Sequence, residues 1–139
     1  MISVKHRTAE ALAPTLSIFH SVGDRPLRAV WQIYTEGSLD RLVLDFGDIS
    51  LTALVDEDDD SIDITVAATA DPQSIGGMDA SSAEPWNKVI GKAFGWGWVM
   101  VNQQGYCDGL LLSFDGIFPQ IVLNVIASSI KVGTVSSSS

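Results

Sequence analysis

At 139 residues, 46% hydrophobic and with a mean hydropathy of +0.24, the chain is long enough to bury a core without disulfides and too apolar to be intrinsically disordered. Its apolar runs are broken well short of a membrane span, and residues 1–7, basic at Lys5, His6 and Arg7, lead into a Pro-interrupted segment rather than a secretory signal core. The net charge of −9 is uneven, with thirteen acidic residues against Arg41 alone between positions 36 and 84, and the remaining cations are scattered, which argues against a nucleic-acid surface.

Residues 8–20 mix the helix formers Ala9, Glu10, Ala11, Leu12 and Ala13 with Pro14 and a β-leaning Leu16-Ser17-Ile18-Phe19 run, predicting a short helix or turn before a strand. Alternation over 27–34 predicts a strand with Leu27, Ala29, Trp31 and Ile33 on one side and Arg28, Val30, Gln32 and Tyr34 on the other. Three more runs follow: Leu42, Leu44 and Phe46; then Ile49, Leu51, Ala53 and Val55; then Ile62, Ile64 and Val66. The connectors Glu36-Gly37-Ser38 and Gly47-Asp48 are too short for crossover helices, so these strands form an antiparallel meander.

Residues 69–83, rich in Gly, Ser, Asp and Pro, read as a loop. Trp86, Val89, Ile90 and Ala93 then fall at i, i+3, i+4 and i+7, which predicts the main helix, with Pro85 in its first turn and Gly95 as its stop. Four further strands follow: one carrying Trp96, Trp98 and Met100, then 106–114, 121–126 and 130–135. Gly105 and Gly116 supply positive φ in the intervening turns, and the serines at 136–139 fray. The expected fold is α+β, one largely antiparallel twisted sheet of seven or eight strands with one main helix packed on it, forming a single domain over residues 1–135. A partly closed barrel is the competing arrangement.

Asp56, Glu57, Asp58, Asp59 and Asp60 stand consecutively at the tip of the third hairpin. Such a run could hold a hard divalent cation, but it lacks the glycine and closing glutamate of an EF-hand loop, so solvation or a basic partner is the stronger reading. Cys107 beside Asp108, with His20 elsewhere, satisfies only the loosest form of a thiol-nucleophile arrangement, and His6 and His20 have no metal-ligand spacing. A cysteine inside a strand is more often a small core residue, and a lone one agrees with a reducing cytoplasm. Gly95-Trp96-Gly97-Trp98 lacks the third glycine of a dinucleotide fingerprint and the Lys-Ser/Thr of a P-loop. Of the four tryptophans, Trp86 and Trp31 are expected in the core, whereas Trp96 and Trp98 lie on one strand face and are the interface candidates. Asp108 and Asn124 interrupt apolar strands, so each requires either a polar partner or an exposed face.

The stretch from Ile90 through Gly91, Lys92, Ala93, Phe94, Gly95, Trp96 and Gly97 to Trp98, followed by Asn102-Gln103-Gln104-Gly105-Tyr106, Asp108-Gly109 and Ile126-Ala127-Ser128-Ser129, resembles an uncharacterised family of small bacterial proteins known as a domain of unknown function. The resemblance covers residues 86–132, implies a bacterial cytosolic protein and carries over no catalytic residue. The expected function is non-enzymatic binding of a basic protein, of the inhibitor, immunity or adaptor kind, through residues 56–60 and Trp96/Trp98. No cofactor, metal, nucleic acid or membrane is expected, and self-association through an open strand edge or the tryptophan face is a further expectation. The alternatives are a metal-dependent hydrolase using the acidic cluster, a hydrolase using Cys107, and a sugar or small-ligand module using tryptophan faces.

Overall fold

Every strand run read from the alternation is a strand in the computed structural model, which describes residues 9–69 and 76–135. The strands are β1 (Ala29–Thr35), β2 (Ser38–Asp45), β3 (Ile49–Asp56), β4 (Ser61–Ala68), β5 (Met78–Asp79), β6 (Phe94–Val101), β7 (Cys107–Phe114), β8 (Ile121–Ile126) and β9 (Ser129–Thr134). They do not form the single expected sheet. One sheet has the order β4-β3-β2-β1-β5 and a second the order β6-β7-β8-β9, every pair antiparallel. The two-residue β5 was hidden in the glycine-rich loop. The readings for residues 1–7, the centre of that loop (70–75) and the serine tail (136–139) lie outside the described residues.

The sheets face one another, with β4 against β7 and β8, and β2 against β9. Register explains how they share one core. Leu44 stands opposite Leu51, Leu42 opposite Ala53, and Ala53 opposite Ile64, while in the other sheet Leu110 pairs with Leu123 and Leu112 with Ile121. All of these are buried in one cluster. Where β1 pairs with β2 the register slips between Ile33 and Tyr34, and this lets Leu39 and Leu42, three apart, both be buried.

The β1 facing differs from expectation. Val30, opposite Leu44, is its fully buried core residue, and Trp31 stands across from Val43 and Asp79 on the other face of the sheet. The expected main helix is also displaced. Residues 86–93 make only a 3-10 turn, Trp86–Lys88, because the chain is then drawn into pairing with 24–27: Gly91 N donates to Leu27 O, Leu27 N to Lys92 O, and Phe94 N to Arg25 O. Gly91, at φ +85°, ends the turn. Trp86 and Val89 are nevertheless buried as their spacing required.

The α-helix among the described residues is α1 (Ala9–Ser21), which takes in the Leu16-Ser17-Ile18-Phe19 run expected to lean toward a strand and runs through Pro14, six residues in, where the ring removes a single hydrogen bond near the helix start. It lies against β4 of one sheet and β6 of the other. Phe94 joins the three parts: its ring stacks on Phe19 of α1 (5.9 Å, 18°) and meets Phe46, after β2, and Phe114, at the end of β7, edge-on at 6.1 and 5.6 Å.

The hairpin turns are tight. Glu36 and Gly37 (φ 53° and 82°) form a two-residue loop with both central residues left-handed, as do Ala127 and Ser128 (53° and 63°) between β8 and β9. Gly105 takes positive φ as expected, but in the β7–β8 turn Asp115 (57°) does so in place of Gly116, and its Oδ1 accepts the Ala93 N–H at 2.9 Å.

Candidate functional site

The acidic run does fall at the β3–β4 tip, folded as a turn, and its five carboxylates have unequal duties. Asp56 Oδ1 accepts the N–H of Asp58 and Asp59 Oδ1 that of Ser61, each at 3.0 Å, in the local loops that aspartate forms with backbone two residues ahead. Asp60, at φ 55°, reaches the other sheet, where its Oδ1 accepts from both the N–H (2.9 Å) and the hydroxyl (3.0 Å) of Ser128 in the β8–β9 turn. Three of the five therefore shape the tip and fasten it across the sheets, while Glu57 and Asp58 are exposed. Among the described residues no three His, Cys, Asp or Glu side chains converge as metal ligands would.

The Gly95-Trp96-Gly97-Trp98 segment gives a second site. The β6–β7 register slips between Phe94 and Gly97, so Gly95 and Trp96 together oppose Ser113, a β-bulge. Ser113 Oγ fills the gap in the ladder, accepting the Trp96 N–H at 2.8 Å and donating to Gly116 O at 2.8 Å. Each glycine has a steric reason. A Cβ on Gly95 would collide with the Gly116 carbonyl, and one on Gly97 with the ring of Phe19, which lies directly on the strand. Trp96 is thus fixed at its backbone yet 57% exposed. Trp98, beyond the bulge, is half-buried opposite Leu111.

Beside Trp96 a groove of about 510 Å³ opens between α1 and β6, lined by Leu16, Phe19, His20, Asp24 and backbone of Gly23, Gly95 and Gly97. Asp24, at φ 64°, is exposed, and its N–H donates to Phe94 O at 2.9 Å. Its neighbour Arg25 is committed elsewhere, to Asp48 Oδ1 at 2.6 Å. Sequence reasoning found Trp96 but missed Leu16, Phe19 and Asp24. The available signal was the pair of glycines flanking a tryptophan in a strand, a position where glycine marks close approach of another element.

The remaining candidates have structural roles. Cys107 is 2% exposed and its thiol donates to Gly109 O at 3.6 Å, whereas His20 lies on the exposed groove rim. Asp108 accepts Asn102 Nδ2 at 3.2 Å, while Asn102 Oδ1 accepts the N–H of Gln104 and Tyr106, so this polar pair organises the β6–β7 turn. Asn124, half-buried, stands in register between Gly109 and Lys131. The Ser81 side chain foremost, and then the Ser81 N–H, which Asp79 Oδ1 accepts at 2.8 Å, hold the Asp79 carboxyl below the usual range.

Charge follows the architecture. The acids described between 36 and 84 belong to the five-stranded sheet and its connections, where Arg41 is the one cation in that stretch of sequence and Arg25 and Arg28 stand beside Asp48 and Gly47, whereas from Pro85 onward the sequence carries Lys88, Lys92 and Lys131 with only Asp108 and Asp115. No described helix is long and apolar enough to cross a membrane. Among known families, residues 13–139 match a family of unknown function, DUF6334. No curated protein and no solved structure matches the chain.

Proposed function

We propose that this chain, which belongs to the DUF6334 family, is a non-enzymatic binding domain of the cytosol whose acidic five-stranded sheet engages a basic protein. The observation that carries this reading is the coincidence of the charge boundary with the sheet boundary, which makes the molecule electrically two-sided. A one-sided field orients an approaching cationic partner and raises its encounter rate, an effect that weakens as salt shortens the screening length to about 8 Å at physiological ionic strength. Glu57 and Asp58 are its most accessible contacts, because the other three carboxylates of the run are held by backbone and by Ser128. The tip is therefore a shaped projection whose two outward acids can be changed without loosening it.

The test is to reverse those two charges together, Glu57→Lys and Asp58→Lys, and to compare the proteins captured from a bacterial lysate across a salt gradient. Loss of basic proteins that elute early in salt from the parent chain is expected, with an unchanged thermal transition. Recovery of the same proteins at the same salt from both versions would refute the acidic tip as the contact.

A further inference from the structure

We propose that the groove between α1 and β6 is an anchor site for an arginine side chain of a bound polypeptide. Its floor is the Phe19 ring, only 6% exposed, with the bare backbone of Gly23 and Gly97, and its wall is Trp96. A flat apolar slot beside an exposed indole suits a methylene stem carrying a planar cation, which stacks on the indole face while its stem covers the floor. The rim supplies the counter-charge. Among the described residues no ion pair or hydrogen bond engages the Asp24 carboxylate, and the adjacent cation that would otherwise neutralise it, Arg25, is held by Asp48.

The site is built before any ligand arrives. Two glycines that admit no Cβ fix the wall, and the Asp24 N–H bond to Phe94 O ties the rim to the same strand. Pre-organisation of this kind lowers the ordering cost of binding. A neutral sugar could also stack on Trp96, but sugar recognition needs several fixed hydrogen-bonding groups, and the side chains of this groove offer one carboxylate, one imidazole and the Trp96 indole N–H. The volume, about 510 Å³, accommodates one long side chain with its flanking backbone.

This inference rests on the binding reading only in taking the partner to be a polypeptide. It is tested on the full ¹⁵N-labelled chain by titration with acetyl-Leu-Arg-Leu-amide, with the isosteric but uncharged citrulline peptide and with methyl glucoside. The arginine peptide should move the Trp96 indole resonance, identified with Trp96→Phe, and the amides of Gly23, Gly95 and Gly97, saturably. The citrulline peptide should bind about fivefold more weakly, in line with the modest worth of a partly exposed cation–π contact and ion pair. Asp24→Asn, a substitution comfortable at positive φ, should bring the arginine peptide close to the citrulline level. Equal binding of the two peptides, saturable binding of the glucoside in the groove, or shifts confined to the acidic sheet would each overturn the proposal. The Glu57→Lys, Asp58→Lys protein should bind the arginine peptide as the parent does, so the groove and the acidic tip can fail separately.

Discussion

Replacing Gly97 by alanine turns the close approach of α1 and β6 into a question of sign. At a strand position without positive φ, alanine ordinarily stabilises relative to glycine by about 0.4–1 kcal/mol, because it restricts the unfolded chain. Here the added methyl would fall within the Phe19 ring, which is buried and stacked on Phe94 at 5.9 Å. Displacing a packed ring costs about 1–3 kcal/mol, and loosening the Phe19–Phe94 pair about 0.5–1.5 kcal/mol more. Net destabilisation of roughly 1–3 kcal/mol is expected, lowering Tm by about 3–10 °C in a domain of this size. Urea denaturation of Gly97→Ala, Phe19→Ala and the double variant isolates the contact, because with the ring gone the alanine should become neutral or mildly stabilising. If Gly97→Ala costs the same with and without Phe19, the glycine is not there to admit the helix, and the account of the groove floor fails.

Truncation of Asp60 to alanine removes both bonds to Ser128 and should cost about 1–3 kcal/mol in urea denaturation, whereas asparagine, which keeps an acceptor and tolerates φ 55°, should cost less; equal losses would deny the cross-sheet bonds their role. Asp79 has a lowered folded pKa, so it contributes stability above its unfolded value near 3.8 that is lost as the pH falls through the folded value. Carboxyl chemical shifts should place its midpoint below the ordinary aspartate value of 3.8, and Ser81→Ala should raise it; no change on Ser81→Ala would remove the assigned cause. Self-association works against the net charge of −9, so sedimentation should show the mass rising from low to high salt; a mass independent of salt and protein concentration removes that expectation.

The strands were legible because half-buried strands write a period of two into the sequence, as in Leu42/Leu44 and Ile62/Ile64. How they divide into sheets was not, since antiparallel neighbours follow from short turns, and the break falls in a long connection that leaves β1 at Ala80, bonded to Val30, and returns at 91–94 to pair with 24–27. The 86–93 segment misled for a related reason: Trp86 and Val89 are both buried, and a spacing of three fits a 3-10 turn as well as an α-helix. Trp31 illustrates the limit of alternation, which sorts residues into two faces without saying which is inward. Trp96 was legible as an exposed aromatic, but its groove depends on Phe19 and Asp24, distant in sequence. The bond from Asp60 to Ser128 likewise spans positions that no local pattern connects.

The Phe94 cluster bears on the order of synthesis. Its rings at 19 and 46 leave the ribosome before residue 94, and the last, at 114, arrives later still, so a five-stranded sheet formed at that point would have α1 as its only available cover. During that interval Leu42, Leu44, Leu51, Ile62 and Ile64 form an open apolar surface of the kind through which nascent chains coalesce. Residues 36–84 carry thirteen of the seventeen acidic residues, and mutual repulsion would keep such half-made sheets apart until β6, β7 and β8 deliver Phe94, Phe114 and Leu123 to the core.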